Sequence, residues 1–458
     1  MVLKIIGGGL AGCEAAWQAA QCGIDVELFE MRPTQSTGAH RTGNLAELVC
    51  SNSLGSNISD RASGLLKEEL RRLGSLLIDC ADASSVPAGG ALAVDRNAFS
   101  NCVQRKIEGH PNIRVIREEI KKIPDRPAIL ATGPLTSPLL MGALYQLTGQ
   151  DHLFFYDAIA PIIEYESINL NIAYRANRYG HGDSEDGDYI NCPFDEKEYY
   201  HFREALINAE RIPLKEFEQD IDNGVTAGSG QYFQGCQPIE VIAKSGEKSL
   251  AFGPMRPAGL TNPRTGRWPF AVVQLRQDNL SADLYNMVGF QTNLTFPEQK
   301  RVFRMIPGLE NANFERYGQM HRNSFIASPI LLDESLAFID QPGLFVAGQL
   351  SGIEGYAGNI ASGLIAGINA SRFILELDPI ILPTTTMVGA LINYITQANI
   401  SEFQPMKAIF GLLPKPSDDI RRNKKQRYSF YSSRALSDLD QFIENRNLCH
   451  HKKKISDS

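Results

Sequence analysis

The sequence predicts an α/β protein: a Rossmann-type nucleotide-binding domain split by an inserted α+β domain. Three observations predict it. The apolar run Val2–Ile6 leads directly into Gly7-Gly8-Gly9-Leu10-Ala11-Gly12 and a small-residue helix carrying Ala15, Ala16, Ala19 and Ala20. Two further short apolar strands, Pro127–Gly133 and Gly343–Gln349, lie far along the chain and each ends in a glycine turn. The intervening sequence has a different character, with alternating runs and a polar Gly-rich loop.

The first strand, the G-x-G-x-x-G turn and the helix follow one another without a spare residue. The helix ends at Gly23, and the strand Ile24–Phe29 delivers Glu30, 18 positions after Gly12. This is a complete βαβ unit. Its glycines permit a tight turn and let backbone N–H groups approach a pyrophosphate at the positive end of a helix. An acid roughly 20 residues on is placed for a ribose hydroxyl. Gly7, Gly8, Gly9, Leu10, Ala11, Gly12 and Glu30 are therefore expected to bind a dinucleotide. Gly133 closes the second strand. Gly348 and Gln349 follow the third, which opens through a Gly-rich loop containing Tyr356 into a helix around Asn359–Gly367. A second helix N-terminus aimed at the same ligand suits FAD bound along its length better than NAD.

These strands fall at both ends of the chain, so residues 1–170 and 320–458 are expected to form a discontinuous FAD-binding domain. Residues 171–319 form the insertion. Within it, Gly180–Asp188 reads as an acidic loop, Phe194–Phe202 opens an amphipathic helix, and Phe270–Leu275 alternates as a strand does.

With 458 residues, 43% hydrophobic and 21% charged, the chain can bury a large core and is globular rather than disordered. No run approaches the ~18 apolar residues of a membrane span. No basic start or cleavage site precedes the first strand, so a cytoplasmic location is expected. The eight cysteines form no CxxC pair, which argues against a zinc site or a disulfide framework. The net charge of −7 excludes general affinity for nucleic acid, but the cations are clustered. Residues 256–304 hold seven Lys/Arg against three acids, and 401–458 hold twelve against seven, including Arg421–Arg427 and His450–Lys454. Such patches are either solvated faces or phosphate grips.

Cys50 follows the second strand, where a flavin ring is expected, and Cys236 sits between Gly235 and Gln237-Pro238. A cysteine is more often a buried small hydrophobe than a nucleophile, and reactivity requires a cation or a helix end nearby.

Several long strings resemble the folate- and FAD-dependent tRNA (uracil-5-)-methyltransferase family. They include Gly7–Gly12, Leu45–Leu54, Ser85–Arg96, Ala131–Ser137, Asn191–Pro193, Gly235–Glu240, Pro263–Gly266, Val273–Asn279, Gly318–Asn323, Phe403–Met406 and Phe410–Pro414. The similarity runs to about Pro414. The sequence departs from the family pattern at Asp222–Gly230, which resembles an insertion. It departs again at Ala357-Gly358-Asn359, where the family carries an acid followed by Ser. The resemblance implies C5-methylation of uridine-54 in the tRNA T-loop. The carbon would come from 5,10-methylenetetrahydrofolate and the reducing equivalents from NADPH or NADH through FAD. By motif it implies Cys236 as the thiol that adds to C6 and Cys50 as the second catalytic thiol. Alternatives are the related FAD-dependent protein that modifies wobble uridine, an NAD(P)H-dependent flavin oxidoreductase, and a catalytically idle flavin-containing RNA-binding protein. No membrane partner and no metal are expected.

Overall fold

The structure, a computed structural model, describes residues 1–37, 39–149, 153–180, 187–212, 237–416 and 423–445. Most of the acidic loop, the Asp222–Gly230 stretch, Cys236, Arg421, Arg422 and His450–Lys454 lie outside the described residues.

A five-stranded parallel sheet carries the strands Leu344–Val346, Ala128–Leu130, Leu3–Ile6, Val26–Phe29 and Ile113–Ile116 in that spatial order. Alternation along each strand sends Ile5, Leu28, Ile129 and Phe345 into one core and Ile6, Leu130, Leu344 and Val346 into another on the opposite face. Both faces are therefore covered, as a parallel sheet requires. The first face carries the helices Leu10–Gln21 and Tyr356–Ile374. They touch almost backbone to backbone: a Cβ on Gly363 would lie 2.2 Å from the Ala11 carbonyl oxygen, and one on Gly367 would lie 2.5 Å from that of Ala15. This contact explains the small residues read from the sequence in both helices. The second helix starts at Tyr356, three residues before Asn359.

A second, antiparallel sheet orders the strands Tyr174–Arg175, Tyr189–Phe194, Ala271–Gln277, Leu284–Met287, Ile162–Glu164 and Phe314–Arg316. It packs against the helices Glu196–Asn208 and Ile239–Lys244 around its own core, which includes Phe194, Tyr199, Phe202, Phe290 and Phe303. The strands Leu153–Ala158 and Met320–Phe325 pair with each other where the chain enters and leaves this second core.

Among the buried charges, Glu69 accepts hydrogen bonds from the Met387 and Val388 N–H groups at 2.7 and 2.9 Å, capping the helix Met387–Gln397. Burial, its largest influence, raises the Glu69 carboxyl from its ordinary value to about 7, and the two N–H donors only partly offset this. A carboxyl whose folded pKa is raised contributes stability that is fully present below its unfolded value and lost as pH rises through the folded one. The native protein's advantage over Glu69→Gln is therefore expected to be greatest below about pH 4.5. It should shrink by on the order of 3 kcal/mol as pH rises past about 7. Urea unfolding of both proteins across that range checks this; parallel curves would refute it.

Candidate functional site: a nucleotide cleft bordered by a clamped cysteine loop

The strand Leu3–Ile6 ends at Gly7, whose φ of +107° turns the chain sharply into the first helix. A Cβ on Gly12 would meet the Gly7 carbonyl oxygen at 1.8 Å, so the turn closes only with glycine there. Gly9 differs: a Cβ on it would meet nothing within 4 Å. Gly9 faces a cavity of about 1030 Å³ lined by Gly7, Leu10, Ala11, Glu30, Arg32, Thr132, Gly133, Gly348, Gln349, Tyr356 and Asn359. Neither helix bordering the cavity has a side-chain cap at its start, Gly9 for one and Gly355 for the other. Their first-turn N–H groups therefore remain donors for an anion. The Asn359 Oδ1 is buried without a hydrogen-bond partner. An open cradle at Gly9, two uncapped helix ends and an orphaned amide oxygen fit a two-phosphate dinucleotide such as FAD.

The cavity brings together every predicted nucleotide residue except Gly8 and Gly12, which shape its turn from behind. Glu30 lines it as predicted, but its carboxylate is already engaged. It accepts from the Gly8 N–H at 2.9 Å, the Arg32 N–H and Nε at 2.9 Å each, and an Arg32 terminal nitrogen at 3.2 Å. Burial is the largest single influence on Glu30 and favours the neutral form. The Arg32 hydrogen bonds and charge outweigh it and hold the carboxyl below its ordinary value. Glu30 thus fixes the glycine turn from within, and a ribose hydroxyl would have to share it with Arg32.

A second cavity of about 740 Å³ adjoins the first, sharing Val49, Pro134, Leu135, Gln349, Tyr356 and Asn359, and is lined by Cys50, Ser51, Asn323 and Glu354. The loop carrying Cys50 is clamped from several sides. Arg96 donates to the Leu48 carbonyl at 2.6 Å and to the Cys50 carbonyl at 2.9 Å. The Cys50 N–H donates to the Tyr356 hydroxyl at 2.8 Å. Arg276, from the antiparallel sheet, donates to Asn52 Oδ1 at 3.0 Å, while the Asn52 amide donates to the Val94 and Gln277 carbonyls. Arg96 in turn pairs with Asp278 at 3.0 Å. Burial foremost, then the charge of Cys50, pushes the Tyr356 phenol well above its usual range, so it stays a neutral hydroxyl.

By contrast Cys13, Cys80 and Cys192 are buried, and burial drives each thiol well above its ordinary pKa. Several arginines of the 256–304 stretch are committed within the fold. Arg276 is buried, Arg264 and Arg304 donate to main-chain carbonyls, and Arg301 pairs with Glu298; Arg256, Arg267 and Lys300 remain exposed. Among the described residues no helix is long and apolar enough to cross a membrane, and no cluster of three or more His, Cys, Asp or Glu could hold a metal ion.

Residues 2–378 match the family model described as glucose inhibited division protein A. A relative from Heliobacterium modesticaldum, named methylenetetrahydrofolate--tRNA-(uracil-5-)-methyltransferase TrmFO, is 54% identical over 444 residues, covering 97% of this chain and 98% of its own. One of the same name from Halalkalibacterium halodurans is 53% identical over 96% of this chain and 98% of its own. The chain belongs to the TrmFO family. Two crystal forms of Aquifex aeolicus GidA share its fold, with TM-scores of 0.67 and 0.68 at 17% and 18% identity; they cover 96% and 97% of this chain and 73% and 76% of theirs. The TrmFO strings around Leu45–Leu54, Ser85–Arg96 and Val273–Asn279 meet in space. They supply, respectively, the cysteine loop, the arginine that holds it, and the antiparallel strand that rivets it. Sequence reasoning missed the roles of Arg96, Arg276, Arg32 and Asn359. Arg96 and Arg276 stood inside matched strings with no role attached, Asn359 stood out as a departure from the family pattern, and Arg32 carried no signal.

Proposed function

We propose that this protein forms ribothymidine by C5-methylation of uridine-54 in the tRNA T-loop, with 5,10-methylenetetrahydrofolate as carbon donor and NAD(P)H as reductant. The observation that carries the reading is the placement of Cys50, a residue of the family strings, in a cavity that opens onto the nucleotide cleft. FAD, held by Gly7–Gly12 and by the start of the Tyr356–Ile374 helix, would supply the reducing equivalents that complete the methyl group.

The chain's own residues do the rest. Uracil C5 is a weak nucleophile until a thiolate adds at C6, a role assigned to Cys236. Cys50 then takes the C5 proton. Arg96 and Tyr356 fix the Cys50 backbone on both sides and so set the direction of its thiol. The uridine must leave its stack to enter, as in other base-modifying enzymes. Residues 1–170 and 320–458 are assigned to cofactor binding and 171–319 to the insertion, although the insertion's antiparallel sheet and core also take in the strand Ile162–Glu164 and Ile168 from before residue 171.

A second reading is the related FAD-dependent protein that modifies the wobble uridine, which shares the FAD-binding elements. The identity of 54% to a relative named as a tRNA (uracil-5-)-methyltransferase weighs against it. Nucleoside analysis of tRNA incubated with the protein, methylenetetrahydrofolate and NADPH separates the two. Ribothymidine at position 54 is expected. A protein that oxidises NADPH and leaves position 54 as uridine would overturn the reading, and a modified wobble base would establish the second.

A further inference from the structure

Away from the nucleotide cleft, two thiols meet. Cys80 in the helix Leu76–Ala83 and Cys102 in the helix Arg96–Glu108 bring their Sγ atoms within 2.8 Å, the Cys102 thiol donating. They stand 22 positions apart in the chain, so only the packing of the two helices joins them. The backbone around them is tied at several points. The Ser84 hydroxyl donates to the Cys80 carbonyl at 2.6 Å, and the Asp95 N–H donates to the Ser84 carbonyl at 2.9 Å. The Asp95 carboxylate caps the second helix by accepting from the Ala98 N–H at 2.8 Å. Thiols that already face each other across a fixed helix pair meet the condition a disulfide sets, that the side chains not point apart.

The two differ in access. Cys80 is 2% exposed and belongs to the core, whereas Cys102 is half-buried and lines a surface cavity with Ala98, Asn101, Arg105 and Glu108. Among the described residues no third His, Cys, Asp or Glu completes a metal site with them. An accessible thiol beside a second one is the arrangement of a redox-responsive pair: the first meets the oxidant and the second resolves it. Burial foremost, then the hydrogen bond and charge of Cys102, holds the Cys80 thiol protonated well above its ordinary value, which suits the resolving partner.

We propose that Cys80 and Cys102 form a reversible modification site, oxidised by a hydroperoxide to an intramolecular disulfide. The Cys102 sulfur attacks one peroxide oxygen, the O–O bond breaks, and the departing hydroxide takes the thiol proton as the first water. The Cys80 sulfur then displaces the hydroxyl of the sulfenic acid, the S–O bond breaks, and its own proton leaves with that hydroxyl as the second water. The two thiols lose two electrons and the peroxide gains them; a small dithiol reverses the change. The new bond closes a loop over residues 81–101, which holds the strands Ser85–Val86 and Ala91–Val94 and also Arg96. Arg96 donates to the Cys50 carbonyl, so oxidation fastens the scaffold behind the Cys50 loop. Nothing in this step depends on chemistry at uridine.

In the test, the full-length, flavin-loaded protein is treated with hydrogen peroxide, quenched in acid, alkylated in denaturant and digested for mass spectrometry. A peptide pair joined through Cys80 and Cys102 is expected, absent before peroxide and lost again with dithiothreitol. The oxidised protein should unfold a few degrees higher than the reduced one, because the crosslink restricts the unfolded chain. Cys102→Ser should give neither crosslink nor shift, while Cys80→Ser should leave Cys102 as a sulfenic or sulfinic acid. Flavin absorbance verifies that each variant is folded. Peroxide that leaves both thiols free overturns the proposal, as does native protein in which Cys102 passes to sulfinic acid while Cys80 stays reduced. A joined peptide that appears only with loss of flavin and a lower transition also overturns it, since the bond would then belong to unfolded chains.

Discussion

Gly9→Leu is expected to yield a folded protein that carries no flavin. The side chain would meet nothing in the protein within 4 Å of its Cβ, so the fold has no reason to reject it. It would instead fill the space in front of the first helix, where a phosphate must approach the N–H groups to within hydrogen-bonding distance. Gly12→Ala is the useful contrast, because its Cβ would collide with the Gly7 carbonyl at 1.8 Å and the strand–helix junction itself would have to open. Flavin absorbance and thermal unfolding together distinguish the two: loss of colour with a native-like transition for Gly9→Leu, loss of both for Gly12→Ala. Full flavin occupancy in Gly9→Leu would remove the glycine turn from the cofactor site.

Removing either thiol proposed to act on the uridine should be the most damaging change to the reaction. Cys236→Ala is expected to abolish methyl transfer, since nothing else would add to uracil C6. Cys50→Ala should cost about 10²–10⁴-fold, the range of a general base. Both variants should keep FAD and its reduction by NADPH, because the thiols act on the base and not on the flavin. Cys13→Ala should retain turnover: Cys13 is fully buried in the first helix, its thiol donating to the Gly8 carbonyl at 3.3 Å, which is a packing role. Single-turnover formation of ribothymidine gives the measurement. Native rates in Cys50→Ala would leave Cys50 as a lining residue only.

The parallel sheet was legible because its signals are local. Strand, glycine turn, helix and acid follow one another within thirty residues, and each depends only on its neighbours in the chain. The cysteine loop was half legible. Its string pointed to Cys50, but the groups that hold its loop come from positions 96, 276 and 356, and only the fold brings them together. The basic stretch at 256–304 misleads when read as composition. A guanidinium that ties down main-chain carbonyls, as Arg264 does at Leu170 and Ala173, looks the same in sequence as one that awaits phosphate. Glu30 shows the opposite case: the acid stands at the expected offset, but Arg32 two residues later had no pattern to announce it.

Asn52 gives the molecule a mechanical property. One side chain accepts from Arg276 on the antiparallel sheet and donates to carbonyls of both Val94 and Gln277, two residues from Cys50. Any tilt of one sheet against the other therefore pulls on the loop that aims the thiol. The two halves of the protein are geared together at that point. Over evolutionary time neither can be reshaped alone, because a substitution that shifts the strand Ala271–Gln277 is felt at the Cys50 loop in the other half.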